Sequence, residues 1–177
     1  MKIRGRLYGG WGKKRKNMAK EKIPSTPAIR FLRKNDVTFT LRPYKYEDRG
    51  GTEVVTRELG CDEHETVKTL VMEDEHKKPL IILMHGDREV STKNLARSIG
   101  TKTVTPCDPA VAQKHTGYMV GGTSPFGIRK AIPIYVEESI LDLPRIFINA
   151  GHRGLLAEMD PAEMARILGP KPVRVGI

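Results

Sequence analysis

The sequence has few cysteines and no long apolar segment. Cys61 and Cys107 are the only cysteines among its 177 residues. Two such residues without metal-like spacing do not form a disulfide framework, so a reducing cytoplasm is the expected compartment. The longest apolar run, residues 79–84, has the length of a strand and falls far short of the roughly 20 residues that a membrane span needs. Residues 1–17 are basic, but no apolar segment follows them as in a signal peptide.

Length and composition indicate one soluble globular domain. A chain of 177 residues, 38% hydrophobic and 29% charged, can bury a core without disulfides or metals. The net charge of +10 is unevenly distributed. Residues 1–17 carry seven basic and no acidic side chains, whereas the remainder carries 24 basic and 21 acidic ones.

The basic segment 1–17 allows two interpretations. It is either an arm that neutralises RNA phosphates and makes binding salt-sensitive, or a disordered extension from a cloning vector or an upstream start codon. We favour the extension, because Met18 provides a second start. The predicted domain is then residues 18–177.

Capping residues mark the predicted helices. Thr26, Asp108 and Asp160 each precede a proline, which is favourable at the first helical position. Glycines that can close a helix in the left-handed conformation follow at Gly60, Gly100, Gly117 and Gly169. The predicted helices are 27–35, 53–59, 92–99, 109–116 and 161–168.

Short runs of strand character lie between the helices. They are residues 37–41, 66–72, 79–84, 102–105, 118–120, 131–136, 145–149 and 155–159. The charged residues 73–78 indicate a hairpin turn, and the short connections between the last three runs favour antiparallel pairing. The pattern predicts an α+β domain with a largely antiparallel sheet.

Common catalytic motifs are missing. No two of the five histidines have a short metal-ligand spacing, so we predict no metal and no cofactor. Neither cysteine is paired with a base in the sequence, which argues against a thiol nucleophile. The phosphate-binding loop GxxxxGK[ST] and the nucleophile elbow GxSxG are also absent.

Three places remain as candidates for chemistry. Lys68 alternates with apolar neighbours, so it either extends outward at a sheet edge or points into a pocket that needs a cation. Residues 116–127, TGYMVGGTSPFG, form a loop whose free amides can hold an anion, or a plain glycine-rich loop. Residues 149–154, NAGHRG, are polar and glycine-flanked. No acid–base pair accompanies them, which suggests binding and polarisation.

The same places carry a resemblance to a known family. The stretches TPAIRFLRKN, FTLRPY, VKTLV, DPAVAQKHTGYMVGGTSPFG and NAGHRG occur in that order. Over residues 24–168 the chain resembles the YbaK/EbsC proteins, which are related to the editing domain of prolyl-tRNA synthetases. The resemblance implies a single compact α+β domain with a mixed, mostly antiparallel, barrel-like sheet surrounded by helices.

The resemblance also implies an activity. Such proteins act in trans and hydrolyse the ester of mischarged tRNA. For this chain the resemblance implies Cys-tRNA(Pro) as the substrate. In that branch the substrate's own thiol attacks its carbonyl. Such an attack would allow a lyase-type reaction in which the cysteine cyclises. The implied partners are proline tRNA and prolyl-tRNA synthetase, with no cofactor, metal or membrane. Two alternatives stay open: a deacylase for another small amino acid such as alanine, and a non-catalytic module that binds tRNA or a synthetase.

Site residues carry over by position. Lys68 would anchor the 3′-terminal nucleotide, and the amides of Gly121 and Gly122 would polarise the carbonyl. The implied substrate-binding residues are Tyr44, Thr69, Thr123, Ser124, Pro125, Asn149, Arg153 and Gly154.

Three positions depart from the family pattern. Asn149 replaces a serine, Leu156 an aspartate and Tyr46 a histidine. Asn149 can still donate and accept hydrogen bonds, whereas Leu156 can take no polar role.

Overall fold

The computed structural model describes residues 22–177, so the basic segment 1–17 lies outside the described residues. The helices are α1 (Pro27–Lys34), α2 (Gly51–Leu59), α3 (Thr92–Ile99), α4 (Pro109–Thr116) and α5 (Pro161–Leu168). The strands are β1 (Phe39–Pro43), β2 (Thr66–Asp74), β3 (Pro79–His85), β4 (Val104–Pro106), β5 (Ile134–Glu137), β6 (Ile146–His152), β7 (Leu155–Met159) and β8 (Lys171–Val173). Two short 3-10 helices span Glu63–Glu65 and Glu138–Asp142. None of these helices is long and apolar enough to cross a bilayer.

All eight strands belong to one mixed sheet in the order β1-β7-β6-β2-β3-β5-β8, with β4 paired to β2. Pairs β1–β7, β6–β7, β2–β3 and β2–β4 are antiparallel, whereas β2–β6, β3–β5 and β5–β8 are parallel. The α+β prediction is confirmed.

All five predicted helices form, although α2 begins at Gly51, two residues before its predicted start, and without a side-chain cap. The Thr26 hydroxyl accepts the Ile29 N–H at 3.1 Å, and the Asp160 carboxylate accepts the Ala162 N–H at 2.8 Å. Asp108 differs, since it precedes α4 without a side-chain capping bond. The four helix-closing glycines all adopt the left-handed conformation that an L-residue adopts only with strain.

The strand predicted at residues 118–120 is wrong. This segment is a turn, because the Tyr118 hydroxyl donates to the Phe126 carbonyl at 2.6 Å and the Gly122 N–H donates to the Met119 carbonyl at 2.9 Å. These bonds fold the chain back on itself before a sheet ladder can form.

The antiparallel pairing expected of the last three predicted strands holds only for β6 with β7. Strand β5 instead runs parallel between β3 and β8. The 3-10 helix Glu138–Asp142, anchored by buried Ile140, separates β5 from β6 in the chain. Strand β8 was not predicted, since its three residues, Lys-Pro-Val, show no alternation.

The core lies on both faces of the sheet. Val67, Val71 and Leu83 belong to the larger apolar cluster, which also receives α1. Met72 and Ile82 point the opposite way, into a second cluster closed by α3. The period-2 alternation predicted for β2 is therefore present, and β3 is buried on both sides.

Thr26 links the first helix to the sheet, since its hydroxyl caps α1 and donates to the Ala150 carbonyl on β6. We expect Thr26→Ala to lower the free energy of unfolding by about 2 kcal/mol, because it removes the cap and leaves a buried carbonyl unsatisfied. Urea denaturation measures the change. Thr26→Ser keeps the hydroxyl and should cost less than half as much; equal losses in both variants would contradict this role.

Candidate active site

A gap in the sheet forms the floor of the candidate site. Strand β3 pairs along one edge of β2, so β6 and β4 must share the other edge. Strand β6 pairs only with Thr66 and Val67, and β4 only with Met72 to Asp74. The Val71 carbonyl accepts the Cys107 N–H at 3.0 Å. Residues 68–70 therefore have no strand neighbour on this edge within the described chain.

A cavity of about 700 Å³ lies against this gap. Its walls come from the β1–α2 connection, α2, the segment after β3, the start of α4, the glycine loop 117–127 and the β6–β7 hairpin. Seven of the predicted site residues line it: Tyr44, Lys68, Thr69, Gly121, Thr123, Asn149 and Arg153. Segments distant in the sequence thus meet at one site.

Four predicted site residues do not line the cavity: Gly122, Ser124, Pro125 and Gly154. Ser124 and Pro125 are buried, and the Ser124 hydroxyl accepts the Phe126 N–H at 3.3 Å, so both shape the loop from inside. The Gly154 carbonyl accepts the Tyr44 N–H at 2.9 Å, and a Cβ at Gly154 would lie 2.8 Å from the Tyr44 carbonyl oxygen. Gly154 therefore positions Tyr44.

Gly122 requires a correction. Its N–H donates to the Met119 carbonyl, so this amide is engaged within the loop and cannot polarise a substrate carbonyl in this conformation. The backbone packs tightly there, since a Cβ added at Gly122 would lie 2.9 Å from the backbone nitrogen of Arg153. Gly121 differs: it is exposed at the cavity, has φ +88°, and its N–H has no acceptor among residues 22–177.

Lys68 reaches into the cavity from the open edge of β2. It is half-buried, on the same face as Leu70 and Met72, and its Nζ donates to the Arg88 carbonyl. Burial lowers the pKa of Lys68, and the nearby carboxylates of Glu89, Glu63 and Asp87 oppose that shift. Of the three Nζ protons, two remain for a ligand.

Thr69 places a second polar group at the gap. Its Oγ1 is buried and has no hydrogen-bond partner among the described residues. A buried hydroxyl without a partner is costly unless a ligand or water completes it. Thr69 lines the cavity next to Lys68, but its hydroxyl oxygen is enclosed by protein atoms.

Asn149 attaches the glycine loop to the sheet. Its Oδ1 accepts the N–H groups of Gly151 and His152 at 2.7 and 3.2 Å, in a bulge between β6 and β7. Its Nδ2 donates to the Gly121 carbonyl at 3.1 Å. The side chain therefore holds Gly121 at the cavity and has little capacity left for substrate.

One wall of the cavity is apolar. Leu156 is buried against Val55, Cys61 and Phe147, and Tyr44 packs beside them. Burial raises the pKa of Tyr44, an effect that the Gly154 backbone partly offsets. Leu156 and Val55 thus present only hydrocarbon to this part of the cavity.

Comparison with known proteins identifies the architecture. Residues 47–167 match the family model described as "Aminoacyl-tRNA editing domain". This match covers most of the chain. The chain belongs to the aminoacyl-tRNA editing family.

Named relatives agree with this family. The chain is similar to the "Putative Cys-tRNA(Pro)/Cys-tRNA(Cys) deacylase EbsC" of Enterococcus faecalis, with 32% identity over 81% of this chain and 89% of that protein. It also resembles the proline–tRNA ligase of Thermodesulfovibrio yellowstonii, with 26% identity over 70% of this chain and 20% of the ligase. The crystal structure of "a putative trans-editing enzyme for prolyl tRNA synthetase" shares the fold, with a TM-score of 0.77, 19% identity and coverage of 88% of this chain and 99% of that one.

One cavity residue of this editing domain, Glu89, was missed in the sequence because no motif marks it. Tyr46 and Cys107 also line the cavity, although the sequence assigned neither of them to the site. A Cβ at Gly121 would lie 2.7 Å from the Tyr46 hydroxyl oxygen, so this tyrosine borders the glycine loop directly. Glu89 follows β3 and reaches the site only because β3 pairs with β2.

One side-chain cluster of the editing domain has the composition of a metal site. The potential ligand atoms of His64, His85 and Asp87 lie within 4.8 Å of one another. The two imidazole rings stack at 3.7 Å with an interplanar angle of 11°, so their in-plane lone pairs cannot converge on one ion. Both His85 nitrogens are also engaged, by the His64 carbonyl and Ser139 Oγ. This geometry does not fit a metal.

Cys107 borders the cavity as an inert thiol. Burial, together with the neighbouring Glu73 carboxylate, raises its pKa to about 11. Its Sγ lies 3.8 Å from Glu73 Oε2, to which the protonated thiol donates. A thiol of this kind is not an activated nucleophile.

We expect iodoacetamide to alkylate Cys107 about a hundredfold more slowly than N-acetylcysteine at pH 8, because only about one thiol in a thousand is ionised. The rate should rise about tenfold per pH unit towards pH 11, as deprotonation supplies the thiolate. Mass spectrometry of a Cys61→Ser variant isolates the Cys107 reaction. Rapid alkylation at pH 8 would contradict the raised pKa.

Proposed function

We propose that the protein is an aminoacyl-tRNA deacylase acting in trans, with Cys-tRNA(Pro) as its substrate. One observation carries the proposal: a single cavity at the open edge of β2 brings together Lys68, Thr69 and the unpaired Gly121 amide, while its only thiol is inactive. Such a site can bind and polarise an ester without supplying a sulfur nucleophile.

Each cavity group has a role in this proposal. The free protons of Lys68 bind the phosphate or ribose oxygens of the 3′-terminal adenosine. Thr69 forms part of the cavity wall beside Lys68 and so borders the bound substrate. The Gly121 N–H faces the ester carbonyl and stabilises the negative charge that develops on its oxygen.

The chemistry follows from the bound substrate. The cysteine thiol attacks its own ester carbonyl, so a C–S bond forms and the C–O bond to the ribose breaks. The thiol proton passes to the departing ribose oxygen, and the product is a cyclic thioester that water then opens. Holding the thiol in attack geometry supplies the rate acceleration.

Leu156 supports a second candidate, an aminoacyl-tRNA deacylase for alanine. The wall formed by Val55 and Leu156 offers hydrocarbon contact to a methyl group as readily as to a thiol. A hydrophobic pocket discriminates weakly between side chains of similar size. In this case water replaces the substrate thiol as the nucleophile.

Proline tRNA and prolyl-tRNA synthetase are the proposed partners. The similarity to proline–tRNA ligases supports this choice. A trans-acting editing domain then receives tRNA that the synthetase has released with the wrong amino acid.

Lys68→Ala should reduce kcat/KM for Cys-tRNA(Pro) by roughly a hundredfold, because no other lysine lines the cavity in residues 22–177. Lys78→Ala is the matched control, since Lys78 is an exposed lysine in the β2–β3 turn. Release of labelled cysteine measures turnover, and circular dichroism confirms the fold. Full turnover by Lys68→Ala would refute the role of this lysine.

Comparing Cys-tRNA(Pro) with Ala-tRNA(Pro) separates the two substrates. We expect rapid loss of cysteine and at least tenfold slower loss of alanine, because only cysteine carries the attacking thiol. Loss of alanine alone would establish the second candidate. A protein that binds these tRNAs and deacylates neither would be a non-catalytic module.

A further inference from the structure

The glycine loop exposes two neighbouring apolar side chains at the mouth of the cavity. Met119 is 55% exposed and Val120 48% exposed. The other large exposed hydrophobic residues of the described chain, Ile23 and Ile177, lie near its two ends. Val120 also lines the cavity, so the exposed pair continues the site outward.

Cations without counterions flank this apolar pair. Arg153 Nε donates to the Val120 carbonyl at 2.9 Å, and its guanidinium lies 5.2 Å from the centre of the Tyr46 ring. On the other side, a Cβ at Gly117 would lie 3.6 Å from Arg129 Nε, and the Arg129 N–H donates to the Thr116 carbonyl at 3.1 Å. Lys130 follows Arg129 and is exposed.

The charge of this region is uncompensated. Arg129, Lys130 and Arg153 have no carboxylate within 4.0 Å among residues 22–177. Residues 109–136 also contain no aspartate or glutamate. This segment therefore carries a net positive charge beside the mouth of the cavity.

We propose that Met119, Val120, Arg129 and Arg153 form a platform for the unpaired 3′ end of tRNA. This inference rests on the proposed function, since the platform borders the cavity that would take the terminal aminoacyl ester. Bases of the single strand lie on the apolar pair and on the Arg153 guanidinium, and Arg129 contacts the phosphates.

Single-stranded RNA fits this surface better than a duplex. A duplex presents phosphates and groove edges but keeps its base faces stacked inside, so exposed Met119 and Val120 would gain no contact from it. Unstacked bases offer apolar faces beside their phosphates, which matches apolar side chains between two arginines.

The test uses two labelled RNA hairpins, one with a single-stranded 3′ NCCA end and one blunt. Fluorescence anisotropy at low salt gives the Kd of the full chain for each hairpin. Non-specific attraction of the basic residues 1–17 to RNA contributes to both Kd values, so the ratio of the two values removes it. We expect the wild type to prefer the hairpin with the overhang by about fivefold or more. Met119→Ser and Arg129→Gln/Lys130→Gln should each reduce this preference at least threefold.

Two controls match these variants. Met119→Leu keeps the apolar contact and should keep the preference. Arg33→Gln/Lys34→Gln removes two exposed cations near α5, and should also leave the preference intact. An equal affinity of the wild type for both hairpins, or an undiminished preference in both platform variants, would overturn the inference. Because no step requires hydrolysis, a failed deacylase assay is distinguishable from a failed platform.

Discussion

The site depends on the interrupted pairing along one edge of β2. If β6 continued alongside β2, its residues would occupy the space of the cavity and close off the edge beside Lys68. Instead β6 departs after two paired residues and β4 arrives only at the far end of β2. The remaining edge is covered by loops, which leave a cavity beside a rigid strand.

The geometry of the glycine loop follows from this departure. A bulge between Asn149 and His152 interrupts the register of β6 with β7, and the Asn149 side chain bonds both the bulge and the Gly121 carbonyl. Gly121 is thereby held opposite the open edge of β2. An amide that is already oriented stabilises developing charge without reorganisation during the reaction.

The distribution of polar groups indicates which chemistry the site supports. Lys68 and Gly121 supply donors, and Cys107 is kept protonated by burial and by Glu73. The wall formed by Leu156 and Val55 is apolar. These properties agree with membership of the aminoacyl-tRNA editing family, whose substrates are esters.

Local sequence signals determined the helices and most strands, because capping residues, glycines and alternation act over a few residues. They also marked Lys68, the glycine loop and residues 149–154 at the β6–β7 hairpin. The residues around Lys68 in the sequence could not show whether its side chain faces solvent or a pocket, because its environment depends on which strands pair with β2. The engagement of the Gly122 amide and the proximity of Glu89 and Tyr46 were equally hidden, because both arise from contacts between distant segments. The sequence alone thus determined most of the elements and the candidate groups, whereas the tertiary structure decided which of these groups lie open to the cavity.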